Sequence, residues 1–416
     1  MLPYNQETEK CTGCTACMAV CPQKCITMEM DKEGFFYPIV SDNCIKCGKC
    51  ESVCPIQKQN GEVSNFKKKA FAALTKEKSI WNRSTSGGAF SEICRAWGDE
   101  NTIVCGACWE NMNVVHKCIV GVENIEPLRK SKYVASDMRG CFSEINSYLS
   151  QGKRVIFSGT PCQVAGLKNY LQRDYDNLLL IDLICHGVGS PLVFQECLMA
   201  IGNQVNGIIK SYEFRAKRGY EKFDFGERER REETCVYLRN DQYTQLFLNQ
   251  NCLRPSCGGN CIFRTENRMG DVTLADFKGL TKVFPQLLGT KYNYSTIVIN
   301  SEKGLKLVDK LAKNMMMFEC SIDDVKEYNP LFYKQTEITD YRSAFFLEFN
   351  NNPSQTIKRW TEPALVAKVS LKRKIFCKFP KPFRKLAMML FRVIGKDFEL
   401  EASSCSYSKI CYDEIG

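Results

Sequence analysis

Cys11-Thr-Gly-Cys14-Thr-Ala-Cys17-Met-Ala-Val-Cys21-Pro22 and Cys44-Ile-Lys-Cys47-Gly-Lys-Cys50-Glu-Ser-Val-Cys54-Pro55 are two copies of one spacing, CxxCxxCxxxCP. Three thiols two residues apart can wrap one tight loop around an iron–sulfur cubane, with backbone N–H groups turned toward its sulfurs. The fourth cysteine falls on the next turn, points away, and is left for a neighbouring centre. The proline after it has no N–H and stops the local turn, which helps hold that cysteine in its crossed position. A disulfide framework would need an oxidising compartment and has no use for two copies ending in Cys-Pro. Zinc ribbons use paired CxxC knuckles and not a triple run. Cys25 lies outside the pattern and is expected to be a small buried apolar residue.

The duplicated run resembles that of bacterial two-cluster ferredoxins. It assigns Cys11, Cys14, Cys17 and Cys54 to one 4Fe–4S cluster, and Cys44, Cys47, Cys50 and Cys21 to its partner. Residues 1–60 then form a ferredoxin domain, and the polar stretch 57–69 reads as the linker leaving it. The chain has 416 residues, long enough for further domains with a sizeable core. It carries 25 cysteines but begins Met-Leu-Pro-Tyr-Asn-Gln-Glu-Thr, with no apolar signal region. Reduced thiols, metal ligands and a cytoplasmic location are expected. The longest apolar runs, such as Leu178 to Cys185, are strand-sized and too short to span a bilayer.

The net charge of +10 is concentrated in one place. Between Lys358 and Lys396 there are twelve Lys or Arg against the single acid Glu362, a local +11, so the remainder is close to −1. The body of the chain therefore lacks the basic surface of a nucleic-acid binder. The tail, 346–416, alternates cations with Phe, Leu and Met, and Phe383, Leu386, Leu390 and Phe391 could share one helix face. That leaves two readings of the tail, a solvated segment or peripheral contact with an anionic membrane or acidic protein.

Residues 70–345 read as a second, α/β domain. Ala70 to Leu74 is strand-like, and Arg83-Ser-Thr-Ser-Gly-Gly-Ala-Phe90 leads into an apolar helix. Ser and Gly at a helix start expose N–H groups that suit a phosphate, although a plain helix cap explains them equally well. Further strands are expected over Thr102 to Ala107 and Val114 to Val120. Arg154 to Ser158, Gln163 to Leu171 and Leu178 to Ile184 read as a βαβ unit, which makes its two strands parallel. Sites in open α/β sheets form at the C-terminal ends of such strands. The residues just past those ends are Thr160-Pro161-Cys162-Gln163 and Cys185-His186-Gly187. A later pair, Cys257-Gly-Gly-Asn-Cys261, precedes Gly270-Asp-Val-Thr-Leu-Ala-Asp276-Phe; no internal repeat accompanies the cluster duplication.

RSTSGGAF, LRKSKYV, VIFSGTPCQVAGL, DLICHGVGSP, EFRAKRGY and LRPSC followed by GDVTLADF together resemble the coenzyme F(420) hydrogenase/dehydrogenase beta-subunit family, here fused to a ferredoxin. The resemblance implies an α+β and α/β multidomain iron–sulfur flavoprotein with a partly parallel sheet that binds FAD. It also implies a third 4Fe–4S cluster on Cys162, Cys185, Cys257 and Cys261. The second pair is one residue longer than the CxxC of similar sequences, which leaves Cys252 as a substitute ligand or the four thiols as inert. Ala275 and Lys278 stand where similar sequences carry Gly and Trp, a departure that bears on the deazaflavin partner. For FAD the candidates are Ser86, Gly87, Gly88, Lys132, Tyr133 and Thr160. Arg215 and Lys217 are candidates for an acidic substrate or coenzyme tail, against a reading as a solvated strand. Of the two histidines, His186 is a weak catalytic candidate beside Cys185, and His116 is assigned nothing.

The expected function is an oxidoreductase that passes electrons between ferredoxin-type clusters and FAD, and on to a deazaflavin or other small molecule. The alternatives are an electron-transfer subunit that works only with a redox partner protein, or a reductase serving surface-polysaccharide synthesis.

Overall fold

In a computed structural model of the chain, the described residues are 8–57, 65–204, 207–216, 220–227, 233–239, 241–336, 340–362 and 365–366. The two cysteine runs follow one backbone path. Gly13 and Thr15 in the first copy, and Lys46 and Gly48 in the second, all have positive φ, at 69°, 66°, 53° and 74°. Glycine occupies the first of these positions in one copy and the second in the other. The left-handed turns are thus set by where the cysteines must point, and glycine relieves only half of them. Helices α1 (Ala16–Val20) and α2 (Lys49–Ser52) follow the two runs, and strands β1 (Ile26–Met30) and β2 (Phe36–Val40) form an antiparallel hairpin between them.

The remaining strands form two sheets. β3 (Lys69–Thr75), β4 (Ile103–Glu110), β5 (Asn113–Val120), β6 (Val155–Ser158) and β7 (Leu178–Leu183) belong to the larger one. β8 (Gly207–Ala216), β9 (Tyr220–Glu227), β10 (Glu233–Arg239) and β14 (Leu365–Val366) form a separate four-stranded antiparallel sheet. β11 (Val272–Asp276), β12 (Ser295–Ile299) and β13 (Met315–Cys320) complete the larger sheet, whose order is β13-β3-β12-β11-β7-β6-β4-β5. Its centre is parallel: β4 pairs β6, β6 pairs β7, and β7 pairs β11 in that sense. The expected βαβ unit is present, with its crossover helix running Pro161–Leu171.

Strand alternation sorts the larger sheet's side chains into two cores. Val104, Ile156, Leu179 and Ile181 face one layer, which includes helix α4 (Ala89–Trp97). Ile103, Val155, Phe157, Leu178 and Leu180 face the other, formed by α5 (Cys141–Ser150) and α6 (Pro161–Leu171). That second core also takes in Cys14, Ala16 and Val53 from the cysteine-rich N-terminus. Gly166 on α6 makes the approach possible, since a Cβ there would stand 2.8 Å from Cys14 Sγ.

The chain divides into two compact units, Met1–Val193 with Gln250–Phe346, and Phe194–Asn249 with Leu347–Gly416. The cysteine-rich N-terminus therefore shares a unit with the larger sheet, although the sequence suggested linear segments at 1–60, 70–345 and 346–416. In the second unit Phe194 packs edge-on against Tyr243 and Tyr212, with ring centroids 4.9 and 5.2 Å apart. Lys217 and the basic tail beyond residue 366 lie outside the described residues, while Arg215 is half-buried on β8.

His116 on β5 is 4 % exposed, with Nε2 3.3 Å from the Ser158 carbonyl oxygen and no partner for Nδ1. Burial, with a smaller contribution from the nearby Lys132 cation, lowers its pKa to about 4. The unfolded chain then takes up this proton first as pH falls. The stabilisation is complete above pH ~6.5 and is lost on acidification toward pH 4, by about 3 kcal/mol. Denaturation midpoints should fall more steeply between pH 6.5 and 4.5 for the wild type than for His116→Phe. Parallel profiles would contradict the assignment.

Candidate metal centres

Cys11, Cys14, Cys17 and Cys54 line one cavity together with Met28, Pro38 and Ile56, and Cys50, expected at the second cluster, lines it as well. Cys14 and Cys17 each feel the charges of the other members, and burial pushes Cys14 up to about 12 and Cys17 higher still. Burial raises Cys54 as well, and thiols held this way need a cationic core before they become thiolates; iron supplies one. The second set is nearer the surface. Cys44 Sγ accepts the Lys46 N–H at 3.4 Å, and Cys47 is exposed. Cys25 is buried as expected, but its sulfur lies 3.4 Å from that of Cys21 and it packs against Cys44 and Cys50. It lies against cysteines expected to hold the second cluster, a position the spacing gave no hint of.

The other sulfur-rich site lies at the C-terminal edge of the parallel strands. Thr160-Pro161 starts α6: the Thr160 N–H donates to Gln163 Oε1 at 2.8 Å, and proline occupies the first turn where its missing N–H costs nothing. Cys162 thereby sits at the helix entrance, with Thr160 Oγ1 3.1 Å from its sulfur. Cys185 leaves β7, and Gly187 (φ +141°) lets the chain pass Cys257, where a Cβ would come within 3.2 Å of the Cys257 Cβ. A short 3-10 turn, Gly258–Asn260, takes up the extra residue, so Cys257 and Cys261 line the same cavity as Cys162 and Cys185. Cys252 does not line it. That residue is fully buried, and its carbonyl accepts the Ser190 N–H at 2.8 Å.

Burial pushes Cys185 up to about 12, Cys257 to about 11 and Cys162 well above the ordinary thiol range; Cys162 also feels the other three, Cys185 feels Cys257 and Cys261, and Cys257 feels Cys261. Arg254 and Arg264 line this cavity at 3 % and 6 % exposure. Arg264 donates to the His186 carbonyl at 2.6 Å and to Thr336 Oγ1 at 3.0 Å, while its Nε has no partner. Among the described residues neither arginine pairs with a carboxylate. Two buried cations beside four thiols match the net negative charge of a thiolate-bound cubane.

Among the described residues, one set of three sulfurs lies within 4.8 Å of one another, Cys105, Cys118 and Cys141. Cys105 and Cys118 face each other across β4 and β5 and are joined as a disulfide. Among the described residues no three sulfurs lining either cavity lie that close together.

The expected flavin residues are dispersed. The Ser86 hydroxyl donates to the Tyr294 carbonyl at 2.8 Å, and the Gly87 N–H donates to Ser295 Oγ at 2.9 Å. Gly88 is the left-handed residue that starts α4. The neighbouring Thr85 accepts the Ser131 N–H at 3.0 Å, which ties this loop to the Lys132-Tyr133 loop. Lys132 donates to the carbonyls of Arg129 and Lys130, has no carboxylate partner among the described residues, and is lowered by burial to about 8. An enclosed amine of this kind fits an anionic group, whereas Ser86 and Gly87 already use their donors within the fold.

A two-cluster ferredoxin module on a mixed, partly parallel sheet, with four further cysteines at the sheet edge, carries the ligand set of an iron–sulfur protein. The chain carries a segment similar to the C terminus of the coenzyme F(420) hydrogenase/dehydrogenase beta subunit, behind an N-terminal 4Fe–4S dicluster domain. Residues 152–325 match the family model for the C terminus of the coenzyme F(420) hydrogenase/dehydrogenase beta subunit, and residues 10–58 match that of the 4Fe–4S dicluster domain. The NADH-quinone oxidoreductase subunit I 2 of Geobacter metallireducens is 36% identical over 80 residues, covering 17% of this chain and 61% of that protein. A "Ferredoxin 7Fe" of Hydrogenibacillus schlegelii is 45% identical over 51 residues, covering 12% and 60%. The chain thus spans about three-fifths of the length of these relatives. A chain of the xenon-derivatised F(420)-reducing NiFe hydrogenase complex from Methanosarcina barkeri superimposes with a TM-score of 0.40 at 15% identity, over 70% of this chain and 92% of that one. Among the described residues no helix is long and apolar enough to cross a membrane.

Proposed function

We propose that this chain is an iron–sulfur oxidoreductase. Electrons move singly between two ferredoxin-type 4Fe–4S clusters and a third cluster held by Cys162, Cys185, Cys257 and Cys261. The carrying observation is the meeting of those four cysteines with two buried arginines that lack carboxylate partners among the described residues. Helix α6 supports a short path, since its first turn bears Cys162 and its middle touches Cys14 through Gly166. The acceptor side is FAD, with a deazaflavin or other small molecule beyond it, as the family implies. Lys132 is the residue best placed to neutralise a flavin's pyrophosphate. A bound flavin would interconvert single electrons and a hydride pair; the chain's own residues orient it and supply charge.

Iron, sulfide and flavin content of anaerobically purified protein tests this reading. About twelve iron atoms with one FAD is the expected result. About eight iron without flavin, even after reconstitution, leaves an electron carrier and removes the enzyme. A second reading, a subunit that exchanges electrons with a partner protein, is favoured by the surface beside the outer cluster. There Cys47 is exposed together with Ile45, Lys46 and Lys49.

A further inference from the structure

We infer that Arg254, carried on the loop that holds Cys257, is the counter-charge of the first ferredoxin cluster, and that it raises the reduction potential of the cluster on Cys11. The inference rests on the cluster assignments above and concerns a positioning residue that acts through the ligands.

Arg254 lies three residues before Cys257, yet its side chain belongs to the ferredoxin loop. Nε donates to the Cys11 carbonyl at 2.7 Å. One terminal nitrogen donates to the Phe36 carbonyl at 2.9 Å and lies 3.9 Å from Cys11 Sγ. The loop is shaped around this group. Gly13 sits in the left-handed region, and a Cβ there would stand 2.9 Å from the other terminal nitrogen. The rings of Tyr37 and Phe35 lie 4.3 and 5.4 Å from the guanidinium carbon and keep water away. The neighbouring backbone is braced separately: Arg342 donates to the Leu253 carbonyl at 2.6 Å and pairs with Glu33 of the hairpin turn.

The contrast between the two arginines carries the argument. Arg342 has a carboxylate partner. Arg254, 3 % exposed, has none among the described residues, and a buried guanidinium without an anion is strongly unfavourable. The anionic groups within reach are the cysteine ligands, Cys11 on one side and Cys257 on the other. One-electron reduction adds one negative charge to a cubane and requires no proton from Arg254, whose charge is permanent. A fixed positive charge beside Cys11 therefore favours the reduced cluster. The same side chain pins the Cys257 loop to the Cys11 loop, so the two sites are held in register.

The test is a redox titration of the full-length holoprotein, followed by electron paramagnetic resonance, for the wild type and Arg254→Gln. One cluster should become about tenfold harder to reduce, a fall of roughly 59 mV for a one-electron couple, with iron content unchanged and the outermost cluster within threefold of its original equilibrium. A purely structural role would not move a single potential. Unchanged potentials at full iron overturn the inference, as does a uniform shift of every cluster. If the glutamine variant loses iron, Arg254→Lys, which keeps the charge, is titrated instead. Every potential should then stay within threefold of its wild-type equilibrium at full iron, and a tenfold shift despite the retained charge overturns the inference. Iron content of the wild type is measured first, so that a chain binding no iron is recognised as a failure of the underlying cluster reading.

Discussion

Replacing Cys257 with alanine is expected to lower bound iron from about twelve atoms to about eight, with the two ferredoxin clusters retained. Cys257 packs directly against Gly187 and shares its cavity with Cys162, Cys185 and Cys261. Its loss leaves three half-buried thiols and the buried Arg264 without the anion that balances them. Cys252 is close in sequence but cannot take over, because it is fully buried away from the cavity and its segment is fixed by the Ser190 N–H. The double variant Cys252→Ala/Cys257→Ala should therefore match the single one. On the proposed assignment the two ferredoxin clusters take their ligands from Cys11 to Cys54, so their visible and paramagnetic signals should persist. Retention of twelve iron atoms in Cys257→Ala would show that the site is ligated differently. A wild type with only eight would mean that the four thiols hold no cluster.

Much of this arrangement was legible in the sequence because it depends on local spacing. The cysteine runs dictate their own turns, to the point that Thr15 and Lys46 accept left-handed backbone where glycine is absent. The βαβ unit was equally clear, since Thr160-Pro161 starts a helix between two apolar runs and strand ends then deliver Cys162 and Cys185 to one edge. What could not be read depends on contacts between distant segments. Arg254 lay within the quoted LRPSC stretch, but only the fold shows that it reaches Cys11, 243 residues earlier. Cys25 reads as a buried cysteine in either environment, and sequence does not distinguish an apolar core from a ring of ligands.

The flavin candidates show the converse difficulty. Small residues before a helix suit a phosphate, yet they suit close backbone packing as well. Gly87 serves the second purpose: a Cβ there would fall 2.2 Å from the Ala73 carbonyl oxygen and 2.6 Å from the Ser295 nitrogen. The antiparallel sheet of the second unit also escaped notice, because its strands alternate charge and aromatic residues as a solvated surface does.

Arg268→Met is expected to destabilise the protein by about 3–5 kcal/mol at neutral pH. Arg268 and Asp182 form an ion pair at 3.4 Å in which both side chains are 1 % exposed. Burial already pushes the Asp182 carboxyl up, against the pull of Arg268 and hydrogen bonds from Thr273 and Gly270. Removing the arginine strands the carboxylate and raises its pKa further, so the folded variant binds a proton that the unfolded chain does not. Its deficit is therefore largest at pH 7 and shrinks as pH falls toward the carboxylate range. Arg268→Met/Asp182→Leu should recover most of the loss, because it removes both charges together. Chemical denaturation of the holoprotein under argon at pH 7 and pH 5 provides the measurement. A single variant within 1 kcal/mol of wild type, or a double variant no better than the single, would refute the account. The pair also bears on the sheet-edge site, since Arg268 donates to the Leu183 carbonyl at 2.6 Å and to the Phe263 carbonyl at 3.1 Å. Those residues stand two positions from Cys185 and Cys261. One buried cation thus joins the two arms that bring the four cysteines together, and its loss should lower iron occupancy there before it affects the ferredoxin clusters.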